Sequence, residues 1–278
     1  MMVDIMQVRA AEKRRNKSIF AASALRRLAA IWLPSIAFCV LLLGLWDVMA
    51  RVTASPLVPN VSEIVGEVQR LVVGGFAVRQ IGITLGRILS GFGVAFVISL
   101  VVGIAAARSP TFRRFCDPAI ILGLTVPGLV WALLCVIWFG VGLTTPMVAI
   151  ALGIAPVMIL HVLQGMNAVD SGIVEMAHVF RLSTRDKLIH IWIPSLTPHL
   201  IAGARVGLSL GWKVIVLVEL FGLSNGVGYQ LNSEFSSQNV AGVLAWTIVF
   251  WAVMVVIEYG ILQALERRFS IWRRVPDL

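Results

Sequence analysis

Six apolar runs dominate the chain, at 31–50, 83–107, 118–138, 144–167, 198–220 and 241–265. At about 1.5 Å per residue each is long enough to cross a hydrocarbon core roughly 30 Å thick. Lipid offers no hydrogen-bond partner to a bare amide, so spanning segments must be helices or closed barrels. Continuous runs of this length, without strict alternation, predict helices. Composition agrees: of 278 residues 59% are hydrophobic and 13% charged, about half the charged share of a soluble domain. The expected fold class is an all-α membrane protein with six transmembrane helices.

Basic residues set the expected orientation. With the N-terminus inside, the inner segments 1–30, 108–117, 168–197 and 264–278 hold seventeen Lys and Arg, and the outer segments hold three. The positive-inside rule then places both termini in the cytoplasm. The net charge of +9 is read as membrane-surface charge and not as a nucleic-acid footprint. Residues 1–30 form a basic segment that is too long for a signal peptide, and the run after it exceeds a typical signal core. The six-span domain covers 31–265, and a basic tail covers 266–278. Cys39, Cys116 and Cys135 lack metal-ligand spacing and read as packing residues; the four histidines show no such spacing either.

Between spans one and two, Leu57-Val-Pro59-Asn60 is turn chemistry, and Asn60 can cap an amphipathic helix carrying Ile64, Val65, Val68, Leu71 and Val72 on one side. Span three is broken at Pro127-Gly128. Proline removes a helical donor there, leaving either a plain kink or an element of a pathway.

The polar loop at 170–194 stands apart from its apolar neighbours. Asp170 or Ser171 can cap a short helix with Ile173, Val174, Ala177 and Phe180 at helical spacing. Ser183 with Asp186 reads as a capping box opening a second helix, which Pro194 is expected to limit. Two short helices joined by a tight turn make a rigid knob.

This loop resembles the "EAA" loop of binding-protein-dependent (type I) ABC importer permeases, through Glu175-x-Ala177, a turn at Arg181, and Ile191-x-Ile193-Pro194. Met176 replaces the family's middle alanine, and Arg181 stands where the family has glycine. Further stretches, 57–62, 84–92, Trp138-Phe-Gly-Val-Gly142, 212–219 and 226–229, are similar to the aliphatic-sulfonate, nitrate and taurine branch and follow in the same order. The resemblance covers roughly 55–268. It implies a permease subunit in the inner membrane, working with ABC ATPase subunits, an extracytoplasmic solute-binding protein, membrane lipids and a second copy of itself. It implies a coupling role for Asp170, Glu175, Met176, Ala177, Phe180 and Arg181, with Ala177 on the docked face and Glu175 near the positive end of the helix dipole. No cofactor is expected on this chain, since ATP and Mg would be bound by the partner ATPase. The cargo implied is a small anion, selected largely by the binding protein.

Gly207-Leu-Ser209-Leu-Gly211 matches the G-x-S-x-G pattern of serine hydrolases, but that motif needs a strained strand-to-helix turn. Gly203, Gly207 and Gly211 recur every four residues as a face for close helix packing. Lys213 and Glu219 are about 9 Å apart along the helix axis and roughly 120° around it, so they do not pair with each other. Each lines the translocation path or enters an interhelical or inter-subunit ion pair. The chain contains no G-x-x-x-x-G-K-[ST] phosphate loop, so ATP hydrolysis belongs on another chain. A stand-alone channel would need no docking knob.

Overall fold

The computed structural model describes residues 33–34, 37–53 and 55–262. The basic N-terminal segment, the basic tail and parts of the first and last apolar runs lie outside the described residues. The chain divides into two compact units, Met1–Glu63 and Ile64–Leu278. In the first, helix α1 (37–53) carries an Asp47–Arg51 ion pair at 2.8 Å. Its Trp46 indole donates to the Pro59 carbonyl at 3.0 Å, fixing the turn that follows. Glu63 reaches back to accept the Asn60 amide at 3.2 Å, half of a capping box at the start of α2 (Val61–Val73).

Among the described residues every element is helical: α3 (Phe76–Arg108), α4 (Pro110–Thr125), α5 (Gly128–Phe139), α6 (Thr144–Asn167), α7 (Ser171–Val179), α8 (Thr184–Lys187), α9 (Ile193–Gly222), α10 (Val227–Ser236) and α11 (Val240–Val255). Four helical segments there are long and apolar enough to cross a membrane: Phe76–Arg108, Thr144–Asn167, Thr184–Gly222 and Val240–Gly260. The pair α4 and α5 makes a fifth if counted as one broken span.

Helix α6 is the core helix. Its Ala149, Ile150, Ile154 and Met158 are buried with Ile88 and Ala95 of α3 and Val214, Ile215 and Val218 of α9. The glycine face on α9 makes this contact close. A Cβ on Gly203 would lie 2.9 Å from the Cβ of His161, and one on Gly207 would lie 3.2 Å from the Met158 sulfur. On Gly211 it would lie 3.6 Å from Ile150. The small-residue face therefore serves packing within this chain. Ser209 sits inside α9, as helix packing and not a hydrolase elbow requires.

Three boundaries differ from the sequence reading. Span three begins at Pro110 and not at 118, so most of the basic connector is already helical. Span two begins at Phe76 and not at 83, because Gly75, at φ 67°, supplies the left-handed turn that lets α3 follow α2 directly. Pro194 does not stop the second loop helix. A π-helical turn, Leu188–Trp192, precedes it, and helix continues through Pro194 and Pro198 to Gly222. The widened turn accommodates the ring and missing amide that would break a regular α-helix. The break at Pro127 is sharp: α4 and α5 meet at 102°.

Candidate functional site

The loop knob is held by its own caps. The Asp170 carboxylate accepts from the Gly172 amide at 2.8 Å, and the Ser183 hydroxyl accepts from the Asp186 amide at 3.1 Å while donating to the Asp186 carboxylate at 2.6 Å. Between the helices, the Leu182 amide bonds the Ala177 carbonyl and the Arg181 amide bonds that of His178, both at 3.0 Å. This is a Schellman motif, whose C′ residue must be left-handed. Arg181 is that residue, at φ 51°. An L side chain there costs roughly 1–2 kcal/mol, so the strain is accepted and the turn keeps its usual geometry. A contact of 3.3 Å between Lys187 and His178 ties α8 to α7.

The knob bares an apolar face. Ile173, Met176, Val179 and Phe180 are all exposed, Phe180 at 72%. Ala177 has no exposed surface. Its expected place on a docked face is corrected, because the side chain is buried within the knob, where its carbonyl accepts the Leu182 amide. Glu175 is exposed but lies beyond the first turn of α7, so the helix dipole gives it little, and its charge is free to act on a partner.

At the broken helix a recess of about 330 Å³ is lined by Thr125, Val126, Pro127, Trp131, Val157 and Lys213 among others. Lys213 and Pro127 are thus brought together. Lys213 is exposed, and none of the described residues pairs with it. A charge at bilayer depth costs about 2.5–3.5 kcal/mol on insertion scales, so this ammonium needs water or a counter-charge on its open side. The buried Nε1 of Trp131, a residue that no sequence motif singles out, has no hydrogen-bond partner among the described residues.

Glu219 lies elsewhere. It has no exposed surface and accepts from Arg87 of α3 at 2.7 Å, from the Thr84 hydroxyl at 2.9 Å and from the Gly228 amide at 2.9 Å. Gln80 accepts from the Gly226 amide at 2.8 Å, and Arg87 also donates to the Asn225 carbonyl at 2.9 Å. The cluster fastens the segment before α10 to α3. Gly226, at φ 100°, has no room for a Cβ, which would strike the Glu219 carboxylate. Gln80, Thr84 and Arg87 fall on one face of α3 at helical spacing. That pattern, with a lone acid in a facing span, was the signal the sequence offered for this cluster.

A family model described as "binding-protein-dependent transport system inner membrane component" matches residues 99–271. The taurine transport system permease protein TauC of Escherichia coli (strain K12) is 33% identical over 196 residues, covering 70% of each chain. A putative aliphatic sulfonates transport permease protein, SsuC of Bacillus subtilis (strain 168), is 26% identical over 244 residues, 87% of this chain and 88% of that one. Among solved structures, an inward-facing MetNI methionine ABC transporter aligns with TM-score 0.61 at 16% identity, over 69% of this chain and 95% of the other. That likeness carries the fold alone.

Proposed function

The chain belongs to the binding-protein-dependent transport system inner membrane components, and from that premise we propose what this permease carries and how it is driven. It is a multi-pass inner-membrane permease subunit of an ABC importer, partnered by ABC ATPase subunits and a solute-binding protein. The proposed cargo is a small oxyanion: a sulfonate, taurine or nitrate. Two copies of the chain form the pathway, each with six spans and both termini in the cytoplasm, and lipid covers the outward apolar faces. ATP and Mg belong to the partner chains, which hydrolyse the nucleotide.

The observation that supports the drive is mechanical. The second knob helix, α8, runs through the π-turn into α9 without a non-helical break, one helical path of 39 residues from Thr184 to Gly222, about 58 Å long. The Schellman turn at Arg181 fastens the bare face of α7 to its start. Motion of an ATPase groove gripping Met176 and Phe180 would therefore pass through the Schellman turn and α8 into α9, which packs on the α6 core. Glu175 adds a charge for that groove, while Asp170 and Arg181 hold the knob in shape.

Reconstitution of the transporter with its ATPase and binding protein tests this. Met176→Asp and Phe180→Asp place charge on the gripped face without touching the side-chain caps at Asp170 and Ser183. Losing one interface anchor costs about 2 kcal/mol, or roughly thirtyfold, so binding-protein-stimulated ATP hydrolysis and uptake should fall together. Variants that assemble and transport like the parent would remove the coupling role from α7.

A further inference from the structure

We infer that the recess at the broken helix is an oxyanion subsite, in which Lys213 and the Trp131 indole N–H receive the charged head of the solute. This rests on the oxyanion reading above and assigns it to particular atoms. The recess is lined by Lys213, exposed and without a partner among the described residues, by Trp131, whose indole N–H is buried beside it without one, by the helix start at Gly128, and by apolar walls from Val157, Leu210 and Leu217. A turn of the indole presents that N–H to a bound head. The first amides of a helix have no intrahelical acceptor and carry the positive end of its dipole. The 102° bend between α4 and α5 interrupts the span at the recess, which Pro127 and Gly128 line.

Depth fits a transit site. Lys213 lies about 13 Å before the end of α9, within the apolar stretch and away from either helix end. Glu219, the nearest acid along α9, is taken up by Arg87, so it does not neutralise the ammonium. The walls suit an anion with a short apolar body better than a bare inorganic ion. A small alkylsulfonate places its head on Lys213 and Trp131 and its carbon chain against Leu210 and Leu217.

The test uses the full transporter in vesicles, with ethanesulfonate, taurine and nitrate as probes. Lys213→Met should lower ethanesulfonate uptake about tenfold, the worth of a charge-assisted hydrogen bond. ATP hydrolysis stimulated by the loaded binding protein should persist. Lys213→Arg should restore uptake, and Trp131→Phe should lower it by a smaller factor. Equal uptake by the parent and Lys213→Met would overturn the subsite and leave the importer reading intact. Loss of uptake and stimulated hydrolysis together in both Lys213 variants would make the lysine structural and overturn it as well. A parent transporter that hydrolyses ATP yet imports none of the three anions would overturn the oxyanion reading, and the subsite with it.

Discussion

Glu219 accepts a hydrogen bond from Arg87 at 2.7 Å while fully buried, joining α9 to α3 across 132 positions of sequence. The pair is not isolated. Thr84 and the Gly228 amide supply the carboxylate's remaining donors, and Asn225 occupies the other side of the guanidinium. A buried charge satisfied this fully is tolerable, whereas one stripped of its partner is not. The cluster is thereby the clamp that holds the start of α10 against two spans.

The clamp predicts a non-additive mutant cycle. Arg87→Met leaves a buried carboxylate uncompensated and should cost about 3–5 kcal/mol, read as early thermal unfolding of the purified transporter. Glu219→Met should cost a similar amount by stranding the guanidinium. The double variant, with neither charge, should be more stable than the sum of the two losses, with a coupling of about 0.5–3 kcal/mol. Additive losses would mean that the two side chains do not act as a pair.

Sequence and structure part company where burial decides the role of a residue. Long apolar runs announce four spans and the broken fifth, and the capping residues Asp170 and Ser183 are legible because a cap needs only local chemistry. The glycine face on α9 was visible as spacing, but only packing shows that its partner is α6 of the same chain. The family resemblance implies Ala177 on a docked face, yet its side chain is buried where the turn closes on its carbonyl, and neither resemblance nor periodicity says where the chain goes next. Pro194 reads as a stop because a proline disfavours regular α-helix. The π-turn before it is a tertiary accommodation without a short-range signature.

Topology gives the second prediction. Ser236 ends α10 and Ser183 opens α8, and both are exposed, so each is a fair target for labelling. A charged thiol reagent added outside intact cells should modify Ser236→Cys and miss Ser183→Cys until the membrane is permeabilised. The opposite pattern would invert the orientation that the basic residues dictate and move the knob away from any cytoplasmic ATPase.

The last prediction isolates the strain at Arg181. A left-handed arginine costs roughly 1–2 kcal/mol relative to a relaxed conformation, and glycine would remove that cost. Glycine also frees the unfolded chain, which takes back about 0.4–1 kcal/mol. The balance leaves Arg181→Gly stabilising the turn by about 0.5–1 kcal/mol, or roughly two- to fivefold in its local opening. The amide to watch is that of Leu182, which donates to the Ala177 carbonyl at 3.0 Å and is released when the turn opens. Hydrogen exchange there should slow in Arg181→Gly and quicken in Arg181→Val, since a β-branched residue tolerates positive φ worse than arginine. Gln238, at φ 57° at the end of α10, uses the same turn geometry, with the Asn239 amide on the Glu234 carbonyl at 2.9 Å. Gln238→Gly should therefore slow exchange of the Asn239 amide without altering that of Leu182. If Arg181→Gly leaves Leu182 exchange unchanged while Gln238→Gly slows its own turn, the arginine carries no net strain at φ 51°. A contact made by its side chain would then be offsetting the backbone cost.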